Sequence, residues 1–565
     1  MFTYMKTASF KNIVDSLQYF VPQEWKRGVN ISTLHPLLTG QKANLGFDIF
    51  DFEMLFNDYA TKRLIREGKT IGCFYIESPG MRSLLRRLNV ETFEMLTAAS
   101  SIIRPGVAES GMMQEFIERH KDPKRRQYLV PEMEKYLGDT YGVMIYQEDV
   151  IKVAHHVAGL TLEEADLLRR AMSGKMRSHL AMQKITTKFF QSCNSRGLTE
   201  TQAQELWRQI ESFAGYSFCK AHSASFALLS CQVAFLKAHY PAEFMASVLS
   251  NGGGFYSPAV YVQESKRIGL KVMLPSINHS SYAYQGNGNT LRIGLMAVKG
   301  LQKSTIEIII KERKANGRYV SLEDFLIRTH CGYQETALLI RCGAMDCLKK
   351  NRPELLRLLD IYIHRRKLLD ENYKDLFSNE SFLLEKEIAT SHNYSIEEIC
   401  RIEYETFDYM ITRHPLNFFQ EWISDSSVTY ASEMQRNRGR KVQMIGWYMT
   451  SKRIRTKKGE IMKFLSLEDL TGTFEAVIFP REYCRFAELT MSMGPYLIEG
   501  WVDANDPTNI VVKNLQLLSS LELKNNLMKD GVDYNYYGDV EKVSENDFML
   551  IEGIDKEKLR LAYAS

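Results

Sequence analysis

From Phe56 to about Met245 apolar residues recur at spacings of three and four, run after run, with polar caps between. That periodicity puts an apolar stripe on one face of each successive helix, so this stretch must fold as helices packed on helices. Thr161-Leu-Glu-Glu-Ala-Asp-Leu-Leu-Arg-Arg shows the pattern at one start, a hydroxyl at the cap and a glutamate three residues on. The pattern stops at Gly252-Gly-Gly-Phe-Tyr-Ser-Pro258, because three glycines and a proline resist helix and strand alike. A boundary or a functional loop is expected there.

Beyond it, Leu291 to Ile310 reads as a short strand-like stretch, a turn at Lys299-Gly300 and an isoleucine-rich helix, the outline of a helix-hairpin-helix. Residues 351–425 look helical and charged. From Val442 to Leu518 the period changes to short alternating runs such as Phe464-Leu-Ser-Leu and Phe474-Glu-Ala-Val-Ile-Phe between Gly and Asp turns. About five such strands predict a small barrel of the OB type. The expected fold is multidomain α+β: a lead-in at 1–55, a large helical region at 56–250, a helix-hairpin-helix region at 251–425, a β-barrel at 426–520 and an unassigned tail at 521–565.

A chain of 565 residues that is 45% hydrophobic and 25% charged can fill several cores, and its length predicts roughly three to five domains. The net charge of +4 is a small difference between 72 basic and 68 acidic residues, so any surface for a polyanion must come from local clustering. Met1 to Phe20 contains Lys6, Lys11 and Asp15, which interrupt any export-signal core. No run of about 18 apolar residues suggests a membrane span, so a cytoplasmic protein is expected. The nine cysteines form no CxxC pair, and Cys331, Cys342 and Cys347 match no common zinc spacing, so buried free thiols in a reducing compartment are expected.

Several motifs can carry chemistry. Ile103-Arg104-Pro105-Gly106 is a rigid turn presenting the Arg104 guanidinium. Tyr146-Gln147-Glu148-Asp149 follows an apolar run, and a solvated helix start is its default reading. Leu167-Leu-Arg169-Arg170-Ala-Met-Ser-Gly-Lys175-Met-Arg177 converges four cations on a helix end and a glycine turn. Arginine forks and a mobile lysine suit phosphate oxygens; a basic solvated face is the alternative. Phe213-Ala-Gly-Tyr216-Ser-Phe-Cys-Lys220-Ala-His222-Ser223, followed by Leu236-Lys237-Ala-His239-Tyr-Pro, brackets a small-residue helix with an aromatic, a lysine and a histidine. That set is wanted where a nucleobase stacks and a triphosphate is neutralised. Taken singly, His222 reads as a structural histidine.

Together these segments resemble the fingers region of the alpha subunit of bacterial DNA polymerase III, the C family. Gly72-Cys-Phe-Tyr-Ile-Glu77-Ser78-Pro-Gly80-Met81-Arg82 resembles the entry into the fingers. Arg104-Pro-Gly106 and Tyr146-Gln-Glu148 fall in family order, and Arg413-His414-Pro415-Leu416 is similar to the family's Gly-His-Pro-Leu element, with arginine for glycine. The resemblance covers residues 56–518. It implies a DNA-directed DNA polymerase component whose fingers (56–250) bind incoming nucleotide through Arg104, Arg169, Arg170, Lys175, Tyr216, Lys220 and His222. In that family Mg2+ ions on three palm aspartates align the primer hydroxyl with the nucleotide. The palm precedes the fingers, so no catalytic or metal residue is expected here and the chemistry would need a separate palm chain. Asp48, Asp51 and Glu53 are weighed as replacements, but surface or capping acids are the preferred reading.

The resemblance extends to DNA. Lys299-Gly300-Leu-Gln302-Lys303 is similar to the family's hairpin, whose amides and lysines grip a duplex phosphate, with Gln302 where a second glycine is usual; a purely structural hairpin is the alternative. Leu376 and Phe377 in Tyr373-Lys-Asp-Leu-Phe are candidates for a sliding-clamp pocket, although Tyr373 replaces the usual glutamine and a buried pair is the alternative. Arg436-Asn-Arg438-Gly-Arg440-Lys441 and Lys452-Arg453-Ile-Arg455-Thr-Lys457-Lys458 flank the first barrel strand. With Trp447 and Phe464 near, Arg453, Arg455, Lys457 and Lys458 suit single-stranded DNA; solvated charge runs are the alternative. The triple glycine at 252–254 and Cys219 look more like the shorter, error-prone relatives. A noncatalytic DNA-binding adaptor and the product of an interrupted gene are the competing functional readings.

Overall fold

In the computed structural model the described residues are 49–103, 111–172, 179–211, 219–370, 393–423, 427–456 and 458–518. Packing divides the chain between Gln516 and Leu517. Helix starts are fixed by caps that the sequence supplies. Asp51 Oδ1 accepts the Met54 N–H at 3.0 Å to open the helix Phe52–Asn57, and Asp58 does the same for Tyr59–Arg66. The box expected at Thr161 forms in both directions, Glu164 N–H to Thr161 Oγ1 at 3.2 Å and Thr161 N–H to Glu164 Oε2 at 2.9 Å.

The helices build two cores. The larger runs from Ile49 to Met449 and is centred on the helices Phe93–Ile102, Lys220–His239 and Pro241–Asn251. The smaller lies between Met133 and Ile210, with the helices Leu162–Met172 and Glu200–Glu211. The extended segment Gly142-Val-Met-Ile145 separates them: Val143 and Ile145 belong to the larger core and Met144 to the smaller, as strand alternation requires.

Chain position 250/251 falls inside the larger core, because Leu249, Tyr256 and Val260 on its two sides pack in the same cluster. The glycine loop ties segments together. Phe255 N–H donates to Glu77 Oε1 at 2.7 Å and the Tyr256 hydroxyl to the Glu77 carbonyl at 3.2 Å. A small sheet follows, β1 (Lys271–Met273), β2 (Gln285–Asn287) and β3 (Thr290–Arg292), with β3 central, parallel to β1 and antiparallel to β2. Gly286 lies flat against the helix Pro241–Asn251; a Cβ there would sit 2.1 Å from the Ala242 carbonyl carbon. Of this sheet the sequence signalled only the stretch at Leu291. The helices Lys303–Asn316, Leu322–Thr329 and Tyr333–Arg341 complete the region.

The C-terminal strands close as expected: β4 (Lys441–Arg455), β5 (Ile461–Glu468), β6 (Thr473–Ile478), β7 (Tyr496–Val502) and β8 (Asn509–Leu517) form a barrel in the order β4-β5-β6-β8-β7. The long β4 serves two neighbours, pairing Lys441 to Gly446 with β7 and Trp447 to Arg455 with β5. Its interior holds Met444, Leu465, Leu467, Tyr496, Ile498 and Val512. The barrel docks on the helix Pro79–Leu88 through polar groups. Arg82 Nη2 donates to Thr473 Oγ1 at 2.9 Å, Arg86 Nη2 to Thr508 Oγ1 at 2.6 Å, and the Ser83 hydroxyl to the Asp506 carboxylate.

Candidate nucleic-acid interface

The helix Gln147–Lys152 begins where the two helical cores meet, and its first residues are not a solvated start. Tyr146 and Asp149 are buried. Asp149 Oδ2 accepts the N–H groups of Ile145 and Tyr146, both at 3.0 Å, yet burial still pushes its carboxyl up to about 6. The N-cap and N3 spacing of Tyr146 and Asp149 was the signal that could have shown this.

Two cationic segments separated in sequence attach to this one helix start. Arg169, on the helix of the smaller core, donates from Nη1 to Gln147 Oε1 at 3.1 Å. Lys220, first residue of the long helix of the larger core, donates its backbone N–H to Glu148 Oε2 at 2.9 Å, and its ammonium lies 5.4 Å from the centre of the Tyr146 ring. His222, one half-turn on, packs against Phe226 with ring centres 4.7 Å apart. Ser223 beneath it bonds Ser101 at 2.7 Å, at the end of the helix that leads to Arg104. Arg104, Lys175 and Tyr216 lie outside the described residues.

Asp166 is the local counter-ion. Its Oδ1 takes Arg169 Nε and Nη2 at 2.9 and 2.7 Å, and its Oδ2 pairs with Arg170 Nε at 2.7 Å. Hydrogen bonds from Arg169, then the two positive charges, hold the Asp166 carboxyl below its usual range. Any polyphosphate reaching these arginines competes with Asp166.

Lys237 and His239, grouped above with the stretch around Lys220, are structural instead. The Lys237 ammonium is buried and spends all three donors internally, on Lys69 O at 2.9 Å, Ile71 O at 2.7 Å and Glu264 Oε1 at 2.7 Å. Burial alone would raise the Glu264 carboxyl, but Lys237 and Arg267 outweigh it and hold it at about 2. Arg267 continues the chain to Glu468 on β5 at 2.6 Å. His414 closes it: Nδ1 accepts the Leu416 N–H at 3.1 Å, so Nε2 carries the proton toward Glu468 Oε1 at 3.4 Å. The His-Pro-Leu element thus fastens the barrel to the helices. His239 bonds Asp58 at 3.0 Å.

In the hairpin, Gly300 has φ +80°, the left-handed turn only glycine takes easily. Its neighbours are partly occupied from within. Lys299 is ion-paired with Asp408, and Glu335 accepts the Gln302 N–H at 2.9 Å and the Thr305 hydroxyl at 2.9 Å. Lys303 is exposed, with Glu307 at 4.0 Å. On the barrel, Arg453, Arg455 and Lys458 are exposed around the β4–β5 hairpin, and Phe464 is half-buried opposite Lys452. Lys457, and Leu376 and Phe377, lie outside the described residues.

Among the described residues no group of three His, Cys, Asp or Glu side chains converges to hold a metal ion. Asp51 is a helix cap rather than a strand residue beside Glu53, and Asp48 lies outside the described residues. All nine cysteines are free thiols, with Cys331 and Cys342 buried. No helix among the described residues is long and apolar enough to cross a membrane.

The chain is similar to known proteins over most of its length. The bacterial DNA polymerase III alpha subunit finger domain matches residues 30–197, and a helix-hairpin-helix motif matches residues 269–355. The DNA polymerase III subunit alpha of Staphylococcus aureus (strain MRSA252) is 31% identical over 506 residues, 87% of this chain and 46% of that protein. That of Aquifex aeolicus (strain VF5) is 32% identical over 476 residues, 83% of this chain and 40% of that protein. The chain spans less than half the length of these curated relatives.

Proposed function

This chain belongs to the family of bacterial DNA polymerase III alpha subunits, and from that premise we propose that it binds an incoming nucleotide and primer-template DNA for template-directed synthesis. One observation carries the nucleotide reading: Arg169 and Lys220, from different cores, are both anchored on the first residues of the helix Gln147–Lys152. A nucleotide bearing three to four negative charges needs cations from more than one element, and here two elements bring them to one place. Arg169, Arg170 and Lys220 face the phosphates, with Lys175, Tyr216, His222 and Arg104 as further members of the site. Lys303 and Gly300 contact duplex phosphate, while Arg453, Arg455, Lys457, Lys458 and Phe464 hold single strand. Leu376 and Phe377 reach for a sliding clamp.

Titrating nucleotide in the presence of primed template tests the site. Arg170→Ala and Lys220→Ala should each weaken binding by about 1.5–3 kcal/mol, the worth of one charge-assisted contact. Asp166→Asn should act oppositely, because it releases both arginines from their internal partner. Equal affinity in all four proteins would leave these cations as a solvated surface. For the barrel, affinity for single-stranded DNA should fall steeply with salt, and Lys458→Ala should reduce the slope of log affinity against log salt by about 0.7. An unchanged slope would remove the hairpin from the DNA path.

A further inference from the structure

Trp501, on the outer face of β7, is 41% exposed. Two ammonium groups lie near its ring, Lys441 from β4 at 6.0 Å and Lys513 from β8 at 5.9 Å from the centre. Lys441 is its direct cross-strand partner, and β8 is the neighbour of β7 on the other side. The loop entering β4 is stitched to the same end of β7, Gly439 N–H to Val502 O at 2.9 Å and Val502 N–H to Arg440 O at 3.0 Å. Arg440 is therefore beside the residue that follows the tryptophan, and Arg436 and Arg438 precede it in the same loop, all three exposed. Among the described residues these three arginines make no ion pair.

Of the carboxylates nearby, Glu499 pairs with Lys441 and Glu482 with Lys513. Glu433 accepts the Tyr430 N–H and Asp503 closes its own turn. The patch thus keeps an excess of positive charge around one exposed π face. An exposed indole on a protein surface gains little from water, whereas a nucleobase stacks on it whatever its identity, and flanking cations neutralise the phosphates on either side. The other cationic group of the barrel, Arg453 to Lys458, lies at the far end of β4, on the order of 40 Å away along a strand of this length.

We infer that Trp501, framed by Lys441 and Lys513, is a stacking platform for a base of single-stranded DNA, a second contact at the opposite end of β4 from the hairpin. This rests on the reading that the barrel holds single strand. Two separated contacts would make the strand run along β4 rather than touch the barrel at one loop, and would make affinity depend on strand length.

The test uses the whole chain, fluorescently labelled oligothymidylate and an abasic strand of equal length, followed by anisotropy. Wild type should bind the thymidylate strand more tightly than the abasic one. Trp501→Ala should lose roughly 5- to 100-fold on thymidylate, the worth of one stacked base, and little on the abasic strand. Trp501→Phe should recover most of the loss. The exposed ring makes truncation tolerable to the fold, and Trp501→Leu, which keeps apolar bulk without a π face, serves even if it is not. Equal binding of both strands by wild type, or thymidylate affinity unchanged in a folded Trp501→Ala, overturns the platform while leaving the hairpin site intact. Failure of wild type to bind either strand overturns both.

Discussion

Lys237→Met should lower the free energy of unfolding by about 3–5 kcal/mol, the usual consequence of removing one partner from a buried ion pair. The side chain is 2% exposed, so water cannot replace what the ammonium supplies. Its three donors serve the Lys69 and Ile71 carbonyls and Glu264. Methionine fills nearly the same volume, so the loss is electrostatic rather than a cavity. Arg267 remains beside Glu264 at 3.2 Å, but it is already shared with Glu468, and one of its terminal nitrogens is buried without a partner. Glu264 would then be under-neutralised, and its carboxyl would rise from about 2. The double variant Lys237→Met/Glu264→Met should regain part of the loss. Urea unfolding of the three proteins measures this; a change below about 1 kcal/mol for the single variant would mean the carboxylate finds another partner.

The same lysine shows where the sequence stopped being legible. Lys220 and Lys237 sit in one helix and look alike as letters. That Lys237 is a core residue depends on Lys69, Ile71 and Glu264, none of them sequence neighbours. Helical spacing and alternation, by contrast, are local, so the helical stretch from Phe56 and the five barrel strands could be read directly. The three short strands around Gly286 could not, since each is three residues long and the sheet depends on the close approach of Gly286 to Ala242. The Tyr146–Asp149 start is hidden for a similar reason: its polar letters suggest solvent, but Asp149 is buried and caps the segment that divides two cores. Arg169 and Lys220 are each tied to one helix start, by Gln147 and by Glu148, an arrangement that the charges alone do not reveal.

Glu475→Gln should stabilise the chain at pH 8 by about 2–3 kcal/mol and leave it nearly unchanged at pH 4, an unusual sign for the loss of a carboxylate. Glu475, on β6, is turned toward the helix Pro79–Leu88. Burial, and then the neighbouring Asp506, push its carboxyl up to about 7 against the opposing pull of Arg82 and Arg86. Ser466 on β5 is its hydrogen-bond partner at 3.5 Å, a weak one. Arg82 and Arg86 are largely committed elsewhere, to Thr473 and to Thr508 and Asp506. For a carboxyl raised from 4.5 to about 7, the folded chain keeps its proton while the unfolded chain has released it. Stability is therefore full below pH 4.5 and falls as pH rises through the window to 7. A shift of that size corresponds to about 3 kcal/mol at complete ionisation. Glutamine preserves the shape and the hydrogen bond but carries no proton to lose. Asp149, pushed up to about 6, gives both proteins a smaller loss in an overlapping window, and Glu264, held at about 2, acts only in acid, so the difference between wild type and variant isolates Glu475. Unfolding free energies measured from pH 4 to 8 should diverge above pH 5. Parallel curves would mean that Glu475 is ionised throughout, with Arg82 and Arg86 as true partners, and that the barrel is held to the helix by an ordinary charged cluster.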